Sequence, residues 1–210
     1  MRAPSTPRGR AVVDRLVAAA ATEFHRRGLR GASLDDILAT AGAGRGQFYR
    51  YFDSRDDLVP IVLERQVDAW VARHAAHLGG LSSLEGVERF ADALVELFAS
   101  ARRPRWCPIG ALADDVLHDP TSRHGPAAAA AFRRMASYLT TGLTAMQAAG
   151  RLAPQADPEA LALTFLACFE GGLLLAIAVG DVRPLRGALD AALAALRNAA
   201  ITPTGDAPTP

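Results

Sequence analysis

Apolar side chains recur at intervals of three and four residues along most of the chain, which is the period of amphipathic α-helices. In the N-terminal part this pattern predicts a helix over about 11–27, ended by Gly28, and short helices that start at Ser33 and Arg45. Further helices are predicted near residues 55–78, 84–101, 109–118, 125–149, 157–179 and 184–199. No stretch of useful length alternates like a strand, so we expect an all-α protein of about nine helices.

The two short helices form a distinct pattern because a glycine turn at Gly42 separates them. Ser33 and Asp36 are spaced as in a capping box, which marks a helix start. In the second helix, Phe48 and Phe52 are four residues apart and are predicted to pack inward. The opposite face carries the polar side chains Arg45, Gln47, Tyr49 and Arg50. Arginine and tyrosine bind phosphates, and arginine and glutamine read base edges, so the stretch predicts a helix-turn-helix for DNA.

The charge distribution favours this interpretation. Residues 1–55 carry ten Arg against five Asp or Glu, whereas residues 56–210 carry thirteen Arg against seventeen acids. The resulting net charges, +5 and −4, add to the +1 of the whole chain, so a phosphate polyanion would attract one end only. An ordinary amphipathic helix pair with exposed arginines is the alternative.

Residues 41–58, AGAGRGQFYRYFDSRDDL, resemble the signature of the TetR (tetracycline-repressor-like) transcriptional regulators. The matching positions are Gly42, Arg45, Gly46, Phe48, Tyr49, Tyr51, Phe52, Arg55 and Leu58. Two positions depart from the signature: Ala43 stands where a larger aliphatic residue is usual, and Gly44 replaces a Ser or Thr that would cap the recognition helix. The resemblance implies an N-terminal three-helix helix-turn-helix DNA-binding domain over 11–54, joined to a C-terminal helical ligand-binding and dimerisation domain over 55–200.

The same resemblance assigns roles within the motif. The DNA-binding residues it implies are Ser33, Arg45, Gln47, Tyr49, Arg50, Tyr51 and Arg55. Four of them, Arg45, Tyr49, Tyr51 and Arg55, are expected to hold phosphates, while Gln47 and Arg50 are expected to discriminate bases. Gly44 leaves a second hypothesis open, a helical small-molecule-binding protein whose DNA reader has degraded.

Both ends of the chain are predicted to lie outside the folded domains. Residues 1–10 are rich in Pro and Arg and predict a mobile basic arm. Its Arg2, Arg8 and Arg10 either reach phosphates or the minor groove or have no role. Residues 201–210 are predicted to be a disordered tail. No apolar run marks a signal peptide, so we expect a cytoplasmic protein.

Two cysteines, Cys107 and Cys168, lie far apart and in no paired motif, which favours free thiols in a reducing cytoplasm. Cys168 is predicted to pack in a core. Three arginines stand shortly before Cys107, at Arg102, Arg103 and Arg105. Because positive surroundings favour a thiolate, a regulator that senses redox state through Cys107 is an alternative to a structural cysteine.

Residues 160–179 approach the length of a membrane span, but Glu170 lies near the centre and no basic cluster or aromatic belt flanks the run. An interface between two copies of the chain explains the run better, and the last two helices commonly dimerise in the family that the chain resembles. The predicted interface residues are Ala167, Gly171, Leu174, Ala178, Leu185, Leu189, Leu193 and Leu196. We therefore expect a homodimer and no membrane.

A dimer also suits DNA recognition, because one short helix reads only a few base pairs. The expected mechanism is a repressor on a pseudo-palindromic double-stranded DNA operator, released when an unknown small-molecule effector changes the separation of the recognition helices. Large side chains on the central helices are the candidates for the effector pocket: Trp70, His74, Phe90, Leu94, Phe98, Met135, Leu139, Met146 and Phe169.

An enzyme is the rival class. His74 and His77 have a spacing that can bind a metal, but no acidic or cysteine partner is evident, so solvated surface histidines are the simpler interpretation. The group Asp114, Asp115, His118 and Asp119 is interpreted as a solvated helix end. The chain has no G-x-S-x-G, phosphate-binding loop or dinucleotide fingerprint. We predict no enzymatic activity, no cofactor and no metal.

Overall fold

The computed structural model describes residues 2–100, 107–118 and 122–201, and these contain nine α-helices. They are α1 (Pro7–Gly31), α2 (Leu34–Ala41), α3 (Arg45–Tyr49), α4 (Leu58–Leu78), α5 (Leu84–Ser100), α6 (Pro108–Leu117), α7 (Gly125–Ala148), α8 (Pro158–Val179) and α9 (Arg183–Ala199). A short 3-10 helix, Arg55–Asp57, precedes α4. The only β-type pairing within these ranges is an isolated bridge between Leu152 and Ala200. The prediction of an all-α protein is confirmed.

The chain divides into two compact units. The first comprises Met1–Trp70 and Pro108–Phe132, and the second comprises Val71–Cys107 and Arg133–Pro210. Both α4 and α7 contribute residues to each unit. The first unit thus contains α6 in addition to the helix-turn-helix, whereas the sequence analysis ended the DNA-binding domain at residue 54.

The first helix begins earlier than predicted. Thr6 caps it, because its hydroxyl oxygen accepts a hydrogen bond from the Gly9 N–H at 3.1 Å, and Pro7 occupies the first turn, where proline is tolerated. Residues 7–10, predicted to belong to a mobile arm, are therefore helical. The predicted end at Gly28 is seen as a break in the helix, where φ is +71° and favours glycine.

The turn between α2 and α3 follows from local signals. Ser33 and Asp36 form the predicted capping box, since each side chain accepts a hydrogen bond from the other's backbone N–H at 3.1 Å. Gly42 ends α2 in the left-handed conformation, with φ +59°. Phe48 and Phe52 are both fully buried and stack with ring centroids 5.2 Å apart. Their burial fixes which face of α3 remains in solvent.

In the second unit, α9 packs on α8 and α5 of the same chain. Its apolar side chains, Leu185, Leu189, Leu193 and Leu196, are at most 4% exposed. Ion pairs from Arg186 to Asp92 and from Arg197 to Glu88 join α9 to α5 at 2.5 and 2.6 Å. This burial corrects the prediction that the four leucines form a dimer interface, because a partner chain cannot reach them.

Candidate nucleic-acid interface

One face of α3 is held in solvent by the aromatic residues beneath it. The Arg45 side chain is 59% exposed and Tyr49 is 47% exposed, and Gln47 and Arg50 are exposed beside them. The Tyr49 ring contacts buried Phe48 edge to face, with centroids 5.3 Å apart. We call these four exposed residues, Arg45, Gln47, Tyr49 and Arg50, the recognition surface.

Gln47 supplies one half of a capping box at the start of α3, although Gly44 has no side chain. The backbone N–H of Gly44 donates to Oε1 of Gln47 at 3.2 Å, which is one half of a capping box. Because this bond uses only the amide oxygen, the Nε2 group of Gln47 keeps its donors for a base edge. Gln47 therefore both supports the helix start and belongs to the recognition surface.

Arg45 forms an ion pair with an acid on the preceding helix. Its guanidinium donates to both carboxylate oxygens of Asp35 on α2, at 2.6 and 2.8 Å. The Asp35 side chain is 71% exposed, and exposed ion pairs contribute about 1 kcal/mol or less. A DNA phosphate can therefore replace the carboxylate at small cost.

Two of the predicted DNA-binding residues, Ser33 and Tyr51, support the fold. The Ser33 hydroxyl caps α2, although the residue is exposed. Tyr51 is only 9% exposed, and its hydroxyl oxygen lies so close to Gly9 that a Cβ there would be 2.7 Å away. The aromatic ring thus packs against the start of α1.

Arg55, expected to hold a phosphate, binds protein groups instead. Its Nη1 donates to the carbonyl oxygens of Leu29 and Ala32, at 2.9 and 2.7 Å. Its Nε and Nη2 donate to Oδ1 of Asp56, at 3.1 and 2.8 Å. These bonds place Arg55 across the connection between α1 and α2, with its side chain 27% exposed.

Sequence reasoning missed how Arg2 is placed. The Arg2 backbone N–H donates to the Tyr51 carbonyl at 2.8 Å, and its guanidinium donates to the Tyr49 carbonyl at 2.9 Å and to Asp53 at 2.5 Å. The predicted mobile arm therefore includes a residue that folds back onto the end of α3. No local pattern links residues so far apart in the chain.

Glu23 was also missed, because a lone acid within an amphipathic helix has no distinctive spacing. The residue is 1% exposed, and its carboxylate accepts from the Thr40 hydroxyl at 2.8 Å and from Arg27 at 2.9 Å. The Thr40 hydrogen bond, together with Arg27 and Arg26, lowers the pKa of the Glu23 carboxyl. This network holds α2 against α1.

Most of the predicted effector-pocket residues are buried. His74, Phe90, Leu94, Met135, Leu139, Met146 and Phe169 are at most 9% exposed, while Trp70 and Phe98 are partly exposed. In the second unit Phe90 contacts His74 edge to face at 5.6 Å and stacks on Phe165 at 6.0 Å. A groove of about 520 Å³ in this unit is lined by other residues: Leu78, Gly79, Ser82, Arg134, Ser137, Tyr138, Thr141, Gly142 and Ala145.

The exposed face of α8 carries the other half of the predicted dimer interface. Ala167, Gly171, Leu174 and Ala178 are all exposed in the single chain. Leu175 and Val179 beside them are 55% and 65% exposed. An apolar surface of this extent on a helix is typical of an interaction site.

Cys107 is buried, with 6% exposure, and donates a hydrogen bond to the Glu170 carboxyl. Burial raises the pKa of that carboxyl. The exposure expected of a redox-sensing thiol is therefore absent at Cys107. The arginines that suggested such a role, Arg102, Arg103 and Arg105, lie outside the described residues.

The histidines and the apolar α8 bear on the rival interpretations. His74 is buried, which corrects its interpretation as a surface residue, and burial lowers its pKa to about 4. Within the described ranges no group of three or more potential ligands could hold a metal ion.

By length and composition α8 is the one described helix able to cross a membrane, a test that core helices of soluble proteins also pass.

Two family models match this chain, one in its N-terminal part and one in its C-terminal part. The model of bacterial regulatory proteins of the tetR family matches residues 16–60, and that of the C-terminal domain of LmrA/YxaF-like transcriptional regulators matches residues 83–191. An HTH-type transcriptional regulator in the lacX 3′ region of Lactococcus lactis is 26% identical over 188 residues, covering 84% of this chain and 89% of that relative.

Solved structures share the fold. A TetR transcriptional regulator from Chloroflexus aurantiacus is 25% identical, with a TM-score of 0.72 over 93% of this chain and 98% of the other. The reduced form of NemR from E. coli has a TM-score of 0.74 over 92% and 98% of the two chains, and at 23% identity it shows the fold alone.

The helix-turn-helix and its exposed basic face define a DNA-binding transcriptional regulator. The chain belongs to the tetR family of bacterial regulatory proteins, which confirms the resemblance seen in residues 41–58. Members of this family are non-enzymatic transcription factors that bind DNA operators, dimerise and bind small-molecule ligands.

Proposed function

We propose that this regulator is a homodimeric repressor that occupies a pseudo-palindromic operator and is released by a small-molecule effector. The recognition surface carries the proposal. Its four polar side chains are exposed on a helix whose Phe48 is fully buried, so the helix has a fixed base and a free polar face. Major-groove reading by a helix-turn-helix requires that combination.

Within this proposal the motif residues divide into three groups. Gln47 and Arg50 discriminate bases, and Arg45 and Tyr49 hold phosphates. Ser33, Tyr51 and Arg55 hold the helix-turn-helix in shape, as their hydrogen bonds and packing indicate. The hydrogen bond from Gly44 to Gln47 argues against a degraded reader, because it keeps one half of the capping box where Ser or Thr is usual.

The exposed face of α8 supports the proposed homodimer. Ala167, Gly171, Leu174 and Ala178 follow one another at intervals of three and four residues and so share one helix face. The small side chains of Ala167, Gly171 and Ala178 let a second helix approach closely, and Leu174 adds apolar area. Two copies related by a two-fold axis would each present one recognition surface to a half-site.

The effector is proposed to bind in the second unit. Effector sites are largely apolar with a few polar anchors, and the buried cluster of His74, Phe90 and Phe165 has that composition. An effector that binds the released conformation more tightly shifts the population away from the operator-bound form.

The proposal is tested by selecting binding sites from a random duplex pool at fixed, near-physiological salt. The wild type should enrich a two-fold symmetric sequence, and Gln47→Ala should lose discrimination at one position of each half-site, at a cost of about 1–3 kcal/mol. Arg151→Ala, an exposed arginine in the second unit, is the matched control and should enrich the wild-type sequence. Enrichment of no sequence by the wild type would contradict the proposal.

A further inference from the structure

The connection between α1 and α2 is held by side chains from two distant parts of the first unit. The helix break at Gly28 turns the N–H of Leu29 away from helical pairing, and this N–H donates to Oδ2 of Asp115 on α6 at 2.7 Å. Arg55 binds the Leu29 and Ala32 carbonyls from the other side. Both polar backbone groups of Leu29 are thus satisfied by side chains far away in the chain.

The shape of the break fits the carboxylate. Gly28 has φ +71°, and a Cβ at this position would lie 3.2 Å from Oδ2 of Asp115. A hydrogen bond between a carboxylate and a backbone N–H is charge-assisted and stronger than a neutral one. Asp115 thereby differs from its neighbour Asp114, which is exposed and pairs with His118 on the surface.

We infer that Asp115 is a positioning residue for operator binding: through Leu29 it fixes the start of α2 and thereby the orientation of the recognition surface. This inference rests on the specific operator binding proposed above. Asp115 lies in the segment 83–191 matched by the C-terminal domain model, while Leu29 and Arg55 lie in the segment 16–60 matched by the DNA-binding model. The hydrogen bond therefore joins a residue matched by the C-terminal domain model to a residue matched by the DNA-binding model.

The role predicts a loss of specificity without a loss of fold. If α2 and α3 are no longer held in one orientation, contacts with base edges weaken, whereas phosphate contacts tolerate small rotations. Asp115→Ala should weaken binding to the selected operator about tenfold, as expected when the correctly oriented form falls to about one tenth of the protein. Binding to unrelated DNA should change by no more than about twofold.

The experiment compares full-length wild type with Asp115→Ala, Asp115→Asn and Asp114→Ala. Affinity for the selected operator and for unrelated DNA is measured below the thermal midpoint of each variant. Asp115→Asn keeps an oxygen that accepts from Leu29 and should recover most of the operator affinity, and Asp114→Ala should match wild type. If Asp115→Ala does not fold, Asp115→Glu takes its place, because its longer side chain displaces the carboxylate and should also weaken operator binding.

Amide hydrogen exchange of residues 28–38, measured without DNA, separates this inference from the proposed function. The segment should exchange faster in Asp115→Ala than in Asp114→Ala. Wild-type operator affinity in Asp115→Ala, an equal loss on unrelated DNA, unchanged exchange, or no recovery in Asp115→Asn would each overturn the positioning role. Failure of the wild type to select an operator would instead overturn the proposed function, and the exchange measurement would still decide whether Asp115 holds the connection.

Discussion

At the scale of single residues, Arg55 matches the DNA-binding motif, but its guanidinium is used in hydrogen bonds within the protein. Its guanidinium binds the carbonyls of Leu29 and Ala32, which are 26 and 23 positions away in the chain. A motif match shows that an arginine is present but not which carbonyls fold against it. The motif therefore predicted a phosphate contact for Arg55, whereas in the structure this residue holds the connection between α1 and α2.

Arg55→Ala should lower protein stability more than it alters salt dependence. Removing the guanidinium leaves the Leu29 and Ala32 carbonyls without this donor, at a cost of about 1–3 kcal/mol in the free energy of unfolding. Denaturant unfolding measures this loss. The slope of log affinity against log salt should stay that of wild type.

Arg50→Ala is the matched comparison on the recognition surface. Arg50 is exposed, so its removal should change stability by less than about 0.5 kcal/mol while weakening operator binding. If Arg55→Ala instead has a smaller slope of log affinity against log salt and an unchanged free energy of unfolding, Arg55 contacts a phosphate.

His74 predicts a pH dependence of stability in the second unit. Its pKa, lowered by burial to about 4, lies below the ordinary value of 6.5, so the unfolded chain binds the proton more readily between these values. The contribution of neutral His74 is complete above pH 6.5 and is lost as the pH falls toward 4. Unfolding measured from pH 7 to 4 should show less loss of stability in His74→Phe than in wild type, and an identical loss in both would contradict the assignment.

At the scale of elements, helix bounds could be predicted where the signals that set them are local in the sequence. The Ser33 cap, the left-handed Gly42 and the break at Gly28 act within a few residues, so the bounds of α2 and the break in α1 could be predicted. Pairs such as Arg2 with Asp53 join residues 51 positions apart and depend on the packed helices. The face of α9 was predicted wrongly for the same reason, because its apolar stripe fits α8 and α5 of its own chain as well as a partner.

The start of α3 gives a prediction about Gly44. Gly44 has φ −88° and ψ 158°, which any residue adopts, and a Cβ there would meet nothing within 4 Å. Gly44→Ser should therefore raise the free energy of unfolding by about 0.5 kcal/mol through the added cap and the loss of glycine flexibility. Thermal unfolding measures the gain. Operator affinity should rise by less than about threefold, and a much larger rise would favour a degraded reader in the wild type.

At the scale of the whole molecule, we expect a second copy of the chain to cover the exposed apolar face of α8. Leu174→Arg places a charge among Ala167, Gly171 and Ala178, so it should convert a dimer to monomers in sedimentation equilibrium. Leu117→Arg, at a residue 65% exposed on α6, is the control and should remain dimeric. A Leu174→Arg protein that stays dimeric would move the interface away from this face.

Footprinting of the DNA that flanks the chain's own gene shows whether the protein reads a two-fold symmetric operator. Purified protein is titrated at near-physiological salt, with unrelated DNA as competitor. We expect protection of a site with two half-sites about one helical turn apart, at protein concentrations that leave unrelated DNA unprotected. Protection that is weak, sequence-blind and abolished by moderate salt, both there and on pooled genomic fragments, would contradict this expectation.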